Sequence, residues 1–287
     1  MPTTSHFKSL KRGPLLVIGG AEDRDPAGRL DVLTRLVEMA GGKKARLLIS
    51  AASTTHPAET IAEYTAVFEA LGVAEVVGFA MDTRLEVDAP EVLEALERAT
   101  CVFFTGGDQL RLTATVAGTL FGERLMERSQ AGLFIAGTSA GAAAVAGTMI
   151  TGGHGSIVCR DCVDLAPGLG LWPETVVDTH FDRSGRVHRL MAAIAQNPGV
   201  LGIGLDENTG VEVSPKGQMT VVGRGNVFVF DGRIRHSNVA DVAGDAPIAM
   251  THSILHVLAS GYGLDLRTME PTLPGTEKEI VKAEQPA

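Results

Sequence analysis

Short apolar runs alternate with helical patterns through the first half of the chain. Residues 14–18 (PLLVI) form an unbroken apolar run that stops at Gly19-Gly20, the pattern of a strand buried on both faces. Residues 27–40 place Leu30, Leu33, Leu36, Val37 and Ala40 three and four positions apart, which predicts a helix with one apolar face. Runs at 46–50, 75–79, 101–105 and 132–136 predict four more strands. Segments 56–71 and 90–98 predict helices between them, the first opened by Pro57 in its first turn, and two more helical segments precede the last strand. Continuous apolar strands separated by helices imply a parallel sheet covered on both faces.

From Val200 onward the pattern changes to strands and hairpins: 200–214 (VLGIGLDENTGVEVS), 218–223 (QMTVVG) and 226–232 (NVFVFDG), with turns at Pro215-Lys216-Gly217 and Asp231-Gly232. No linker, composition break or internal repeat interrupts the chain. This predicts one domain over 13–275, its sheet extended by antiparallel strands, with flexible polar tails at 1–12 and 276–287.

Composition narrows the function. The 287 residues are 45% hydrophobic and 21% charged, enough to bury a sizeable core. A net charge of −9 argues against a protein that grips nucleic-acid phosphates. Cys101, Cys159 and Cys162 are too few for a disulfide scaffold and fit a compartment that keeps thiols reduced. The first dozen residues lack the apolar run of a signal peptide, and no run reaches the roughly 18 apolar residues of a membrane span. The expectation is a cytoplasmic protein without membrane association.

In parallel sheets ligands bind beyond the carboxyl ends of the strands. There, Gly137-Thr138-Ser139-Ala140-Gly141 fits G-x-S-x-G directly after an apolar strand and before an alanine-rich helix start. A sharp strand-to-helix bend of this kind lifts a serine hydroxyl above the sheet and crowds its neighbours, hence Gly137, Ala140 and Gly141. The bland alternative is a packing turn with a structural serine. A serine nucleophile needs a base and a group to orient it. Of the eight histidines, His180 ends the apolar segment 175–177 in a densely polar stretch, but His56 and His154 also lie near glycine-rich or helix-start positions. For the orienting acid, Asp206 and Glu207 end an apolar strand, and Asp178 competes.

Arg183, Arg186 and Arg189 recur every three residues, as on one face of a helix. They form either a solvated basic face or a grip for carboxylates, which arginine forks suit. Cys159-Arg160-Asp161-Cys162 is a single C-x-x-C with too few neighbouring ligands for zinc and no preceding strand for a thioredoxin-like site. No G-x-G-x-x-G follows the first strand, and neither a Walker A motif nor H-E-x-x-H is present. No cofactor or metal is expected.

Five blocks in order, VIGGAEDRD (17–25), FFTGGDQLRL (103–112), GTSAGA (137–142), DTHF with its spaced arginines (178–189) and GIGLDENTG (202–210), resemble cyanophycinases, serine peptidases related to aspartyl dipeptidase (peptidase E). The resemblance implies an α/β three-layer sandwich with a mostly parallel sheet, flavodoxin-like and similar to class I glutamine amidotransferases. It implies hydrolysis of cyanophycin, a poly-aspartate carrying arginine on each side chain, to β-aspartyl-arginine dipeptides, and a homodimer. It further implies Ser139 as nucleophile, His180 as base and Glu207 as orienting acid, with the amides of Ala140 and Gly107 (or Gly106) as oxyanion hole. Gln109 and Asp178 match pocket positions, and Arg186 and Arg189 match arginines that hold substrate carboxylates. Thr179 stands where the family has glutamine, and Ser184 where it has arginine, with Arg183 alongside; Thr179 and Arg183 complete the substrate-side set. The order Ser-His-Glu differs from that of α/β-hydrolases. The alternatives are a peptidase-E-like dipeptidase acting on Asp-X or isoaspartyl peptides, and a non-catalytic binding module on the same fold.

Overall fold

The computed structural model describes residues 12–25, 27–153 and 157–274. Both predicted tails, apart from Arg12, and the candidate His154 lie outside the described residues. Arg12 is itself buried, its guanidinium 5.6 Å from the centre of the Trp172 ring.

The chain builds β1 (Leu15–Ile18), α1 (Asp31–Ala40), β2 (Arg46–Ser50), α2 (Pro57–Ala70), β3 (Glu75–Phe79), α3 (Arg84–Val87), α4 (Pro90–Arg98), β4 (Cys101–Phe104), α5 (Gln109–Val116), α6 (Leu120–Gln130), β5 (Phe134–Thr138) and α7 (Ala140–Val145). The second half adds β6 (Ala146–Gly152), β7 (Asp164–Pro167), β8 (Trp172–Thr179), α8 (Arg186–Gln196), β9 (Leu201–Leu205), β10 (Thr209–Val213), β11 (Gln218–Gly223) and β12 (Val227–Asp231). Short strands follow: β13 (His236–Ser237), β14 (Met250–Thr251), β15 (Ile254–Leu258), β16 (Gly263–Asp265) and β17 (Glu270–Thr272).

The predicted parallel strands assemble in the order β1-β5-β4-β2-β3, and β10, β11, β16 and β17 extend that sheet beyond β1 with antiparallel pairing. The α/β class and the antiparallel extension stand as expected. A second sheet, ordered β15-β12-β9-β8-β6-β7, takes β9 and β12 out of the predicted extension, and its separation from the first sheet was not legible in the sequence. Its β6, β8 and β9 run parallel.

Side-chain alternation explains the layering. In β1, Leu16 and Ile18 pack with Leu33 and Leu36 of α1 and Phe68 of α2. Leu15 and Val17 face the other way, into a core shared with α7, Val177 of β8, and Leu201, Ile203 and Leu205 of β9. The far side of the second sheet is covered by Leu190 and Ile194 of α8. Every β1 side chain is at most 1% exposed, which is why its sequence shows no polar alternation.

The cysteine reading needs correction. Cys159 and Cys162 are joined as a disulfide, with their Cα atoms 5.2 Å apart, while Cys101 is free and buried. The three-residue spacing, closed by the short helical turn Arg160–Cys162, brings the two Cα atoms within bridging range. No helix among the described residues is long and apolar enough to cross a membrane.

Candidate active site

Ser139 joins β5 to α7 with φ 51° and ψ −114°, a conformation L-residues rarely adopt, costing about 1–3 kcal/mol. The surroundings hold it there. Ser139 donates its N–H to Ile18 O at 3.0 Å, and Gly141 donates to Thr105 O at 3.1 Å. Small residues are obligatory: a Cβ on Gly137 would lie 2.7 Å from the Gly141 carbonyl, and one on Gly141 would lie 2.3 Å from Phe104 O.

His180 leaves the carboxyl end of β8, also with positive φ (51°), and donates its N–H to Gly19 O at 2.9 Å. Its Nε2 lies 2.9 Å from Ser139 Oγ, and its Nδ1 lies 2.6 Å from Glu207 Oε1. Gly20 is required beside the ring, because a Cβ there would come within 2.5 Å of His180 Cε1. Glu207 sits in the turn where the chain crosses from β9 in one sheet to β10 in the other. Hydrogen bonds from His180 and then Arg183 hold its carboxyl below the usual value. Arg183 donates both Nη2–H, at 2.6 Å, and Nε–H, at 3.1 Å, to Glu207 Oε1.

Asp206 instead accepts the Asn226 N–H at 2.8 Å. Asp178 turns to the arginines and is 2% exposed: Arg189 donates through Nε at 2.7 Å and through Nη2, and Arg186 donates at 3.3 Å. Burial pushes its carboxyl up to about 6, against the pull of Arg189. His56 is exposed and bonds only locally, its Nδ1 3.0 Å from Thr55 Oγ1.

A cleft of about 370 Å³ opens over Ser139. Gly107, Gln109, Ala140, Asp178, Thr179, His180, Arg183, Arg186 and Arg189 line it, and Glu207 stands behind His180. Arg183 does not share a helix with the other two arginines, because α8 begins at Arg186; it reaches the cleft from the preceding turn. The Gly106-Gly107 turn is braced by Ser53. Ser53 Oγ donates to Gly106 O at 2.8 Å, and Asp108 donates its N–H to Ser53 O at 2.8 Å. Ile150 and Thr151 of β6 also line the cleft, and Gln109 Nε2 donates to Ile150 O at 2.6 Å. Sequence reasoning missed both, because β6 follows α7 with no turn signal between them.

A serine on a strained bend, hydrogen-bonded to a histidine that rests on a carboxylate, is the arrangement of a serine-type peptidase, and the comparisons place the chain in that class of hydrolase. The model of peptidase family S51 matches residues 15–221, and the chain belongs to that family. It is 35% identical over 268 residues to the cyanophycinase of Geminocystis herdmanii, covering 92% of this chain and 98% of that one. It is 38% identical over 264 residues to the cyanophycinase of Trichormus variabilis, covering 90% and 88%. In fold it is similar to the crystal structure of a peptidase from an acI-B1 Actinobacterium, with a TM-score of 0.64 and 23% identity over 88% of this chain and 97% of that one.

Proposed function

We propose that the chain is a serine exopeptidase acting on cyanophycin through an acyl-enzyme and releasing β-aspartyl-arginine dipeptides. The observation that carries this reading is the continuous path from Ser139 Oγ through the His180 ring to Glu207 at the floor of a cleft walled by arginines. His180 takes the Ser139 proton as Oγ attacks an aspartyl α-carbonyl. The amides of Ala140 and Gly107, two residues that line the cleft, stabilise the tetrahedral oxyanion. His180 then protonates the leaving amine, and water clears the acyl-enzyme. Glu207 keeps Nδ1 protonated, so that Nε2 stays free to accept.

Three guanidinium groups, on Arg183, Arg186 and Arg189, meet two carboxylates, on Asp178 and Glu207. One positive charge is left over, which suits a substrate with a free carboxylate. Gln109 and Thr179 present polar groups to the same ligand. The test is release of soluble dipeptide from insoluble cyanophycin, with Ser139→Ala as control. Release by the wild type alone is the expected result, and equal release by the variant sinks the reading. A dipeptidase acting on Asp-X peptides is the second reading, since the same Ser139–His180–Glu207 geometry serves either substrate. Faster cleavage of Asp-X than of cyanophycin decides for it.

A further inference from the structure

Ser139, His180 and Glu207 stand on three separate stretches of chain, and one short segment running from the last residue of β1 ties them together. Ser139 donates to Ile18 O, His180 to Gly19 O, and Asn208, next to Glu207, to Gly20 O at 2.8 Å. Asp23 N–H then bonds Asn208 Oδ1 at 3.1 Å. Within this segment lies Glu22, a carboxylate only 4% exposed that takes no part in the proton path. One of its oxygens accepts the Thr138 hydroxyl at 2.6 Å, and the other accepts the Tyr64 phenol. Thr138 is the residue immediately before Ser139.

We propose that Glu22 is a positioning residue whose buried carboxylate latches Thr138 and thereby fixes the bend that presents Ser139. The proposal rests on Ser139 being the nucleophile. Burying a carboxylate is costly unless its lone pairs are filled. An apolar side chain would fill the same space without that cost but would give Thr138 no fixed direction. The bend needs such direction, because a residue at positive φ stays there only where its surroundings over-determine it.

The second donor is equally fixed. Burial, and next the charge of Glu22, push the Tyr64 phenol well above its usual value, so it stays protonated. Its ring packs edge-on against Phe103, with centroids 4.8 Å apart, and stacks on Phe68 at 6.1 Å. A rigid path therefore runs from α2 through Tyr64, Glu22 and Thr138 to the serine.

The experiment compares Glu22→Gln, Thr138→Val, Thr138→Ser and Ser139→Ala in steady-state kinetics, thermal melting and the rate of Ser139 modification by a serine-reactive phosphonate. Thr138→Val removes the hydroxyl and keeps the shape; Thr138→Ser keeps the hydroxyl. Glu22→Gln and Thr138→Val should lower kcat and the modification rate together by about 10–100-fold. KM should stay within about twofold, since an elbow shift acts on the chemical step. Thr138→Ser should restore both rates. The double variant Glu22→Gln/Thr138→Val should be no slower than the worse single variant, because both break one contact. Modification of Thr138→Val at the wild-type rate, whatever its melting temperature, overturns the proposal, and this holds even if Glu22→Gln fails to fold. A wild type that the phosphonate leaves untouched overturns the nucleophile reading and this proposal with it.

Discussion

The wall of the cleft that carries Ser139 and the wall that carries Arg186 and Arg189 are made of different materials. On the serine side the chain is glycine and alanine, the backbone is strained, and every residue of α7 is buried. Position there is set by main-chain contacts such as Ser139 N–H on Ile18 O and Gly141 N–H on Thr105 O, with the proposed Glu22 latch as the side-chain exception. On the arginine side, position is set by long charged side chains converging on Asp178. A serine-bearing bend tolerates almost no change of volume. A cluster of flexible cations can be rearranged by one substitution. Under the proposed function, reaction chemistry is held mainly by backbone and substrate choice by side chains.

The strongest way to break that division is Ser139→Ala. It should lower turnover by about 10⁴-fold or more, with little change in melting temperature. Turnover within tenfold of wild type, measured by dipeptide release, would mean that the bend holds no nucleophile.

Arg189→Ala attacks the other wall. Asp178, almost wholly buried, would keep Arg186 at 3.3 Å as its arginine partner beside the Thr179 N–H. Breaking a buried pair by removing one partner costs about 3–5 kcal/mol. The expected outcome is a clear fall in melting temperature with a raised KM, and a kcat reduced far less than in Ser139→Ala. A large loss of kcat at unchanged KM would show that this wall also serves the chemical step.

Gly141→Ala tests the backbone side without touching a functional group. Its Cβ would press on Phe104 O, and overpacking of this kind costs about 1–3 kcal/mol. Modification of Ser139 by the phosphonate should slow more than melting suggests. If stability falls and the modification rate does not, the bend has more slack than its contacts indicate.

How much of this could be read beforehand follows from burial. The strands predicted at 46–50 and 75–79 match β2 and β3, and those at 14–18 and 101–105 match β1 and β4 within one residue. Such strands, covered on both faces, leave unbroken apolar runs. The apolar segment 175–177 belongs to a strand that runs from Trp172 to Thr179, whose apolar run Glu174 and Asp178 interrupt. The strands β6 and β7 were missed, since AGTMITG and DLAP carry neither period nor turn signal, while β9 and β12 were read as strands but not as part of a second sheet.

The serine was legible from its motif alone. His180 could not be chosen from eight histidines, nor Glu207 from its neighbours, without the family resemblance, because the sequence does not show which strand ends meet. Glu22 was not legible at all. In the run Glu22-Asp23-Arg24-Asp25 it has the pattern of a solvated loop, and only the fold turns it inward.

The smallest effect expected is also the one that best sharpens the contrast between the walls. Burial raises the Asp178 carboxyl from 3.8 to about 6, so folding favours its protonated form. Its contribution to stability is therefore complete below about 3.8 and is lost as pH rises through about 6. The same titration bears on binding. Below about 6, a neutral Asp178 leaves Arg186 and Arg189 less neutralised and their pull on a substrate carboxylate stronger. KM for an aspartyl peptide should thus rise a few-fold as pH climbs through about 6, and Asp178→Asn should flatten that step. The opposite sign is equally informative. A KM that falls as Asp178 ionises would mean that the carboxylate acts by holding the two guanidinium groups in place for the substrate. The arginine wall would then be preorganised much as the serine wall is, and the division between backbone-held chemistry and side-chain-held choice would not survive.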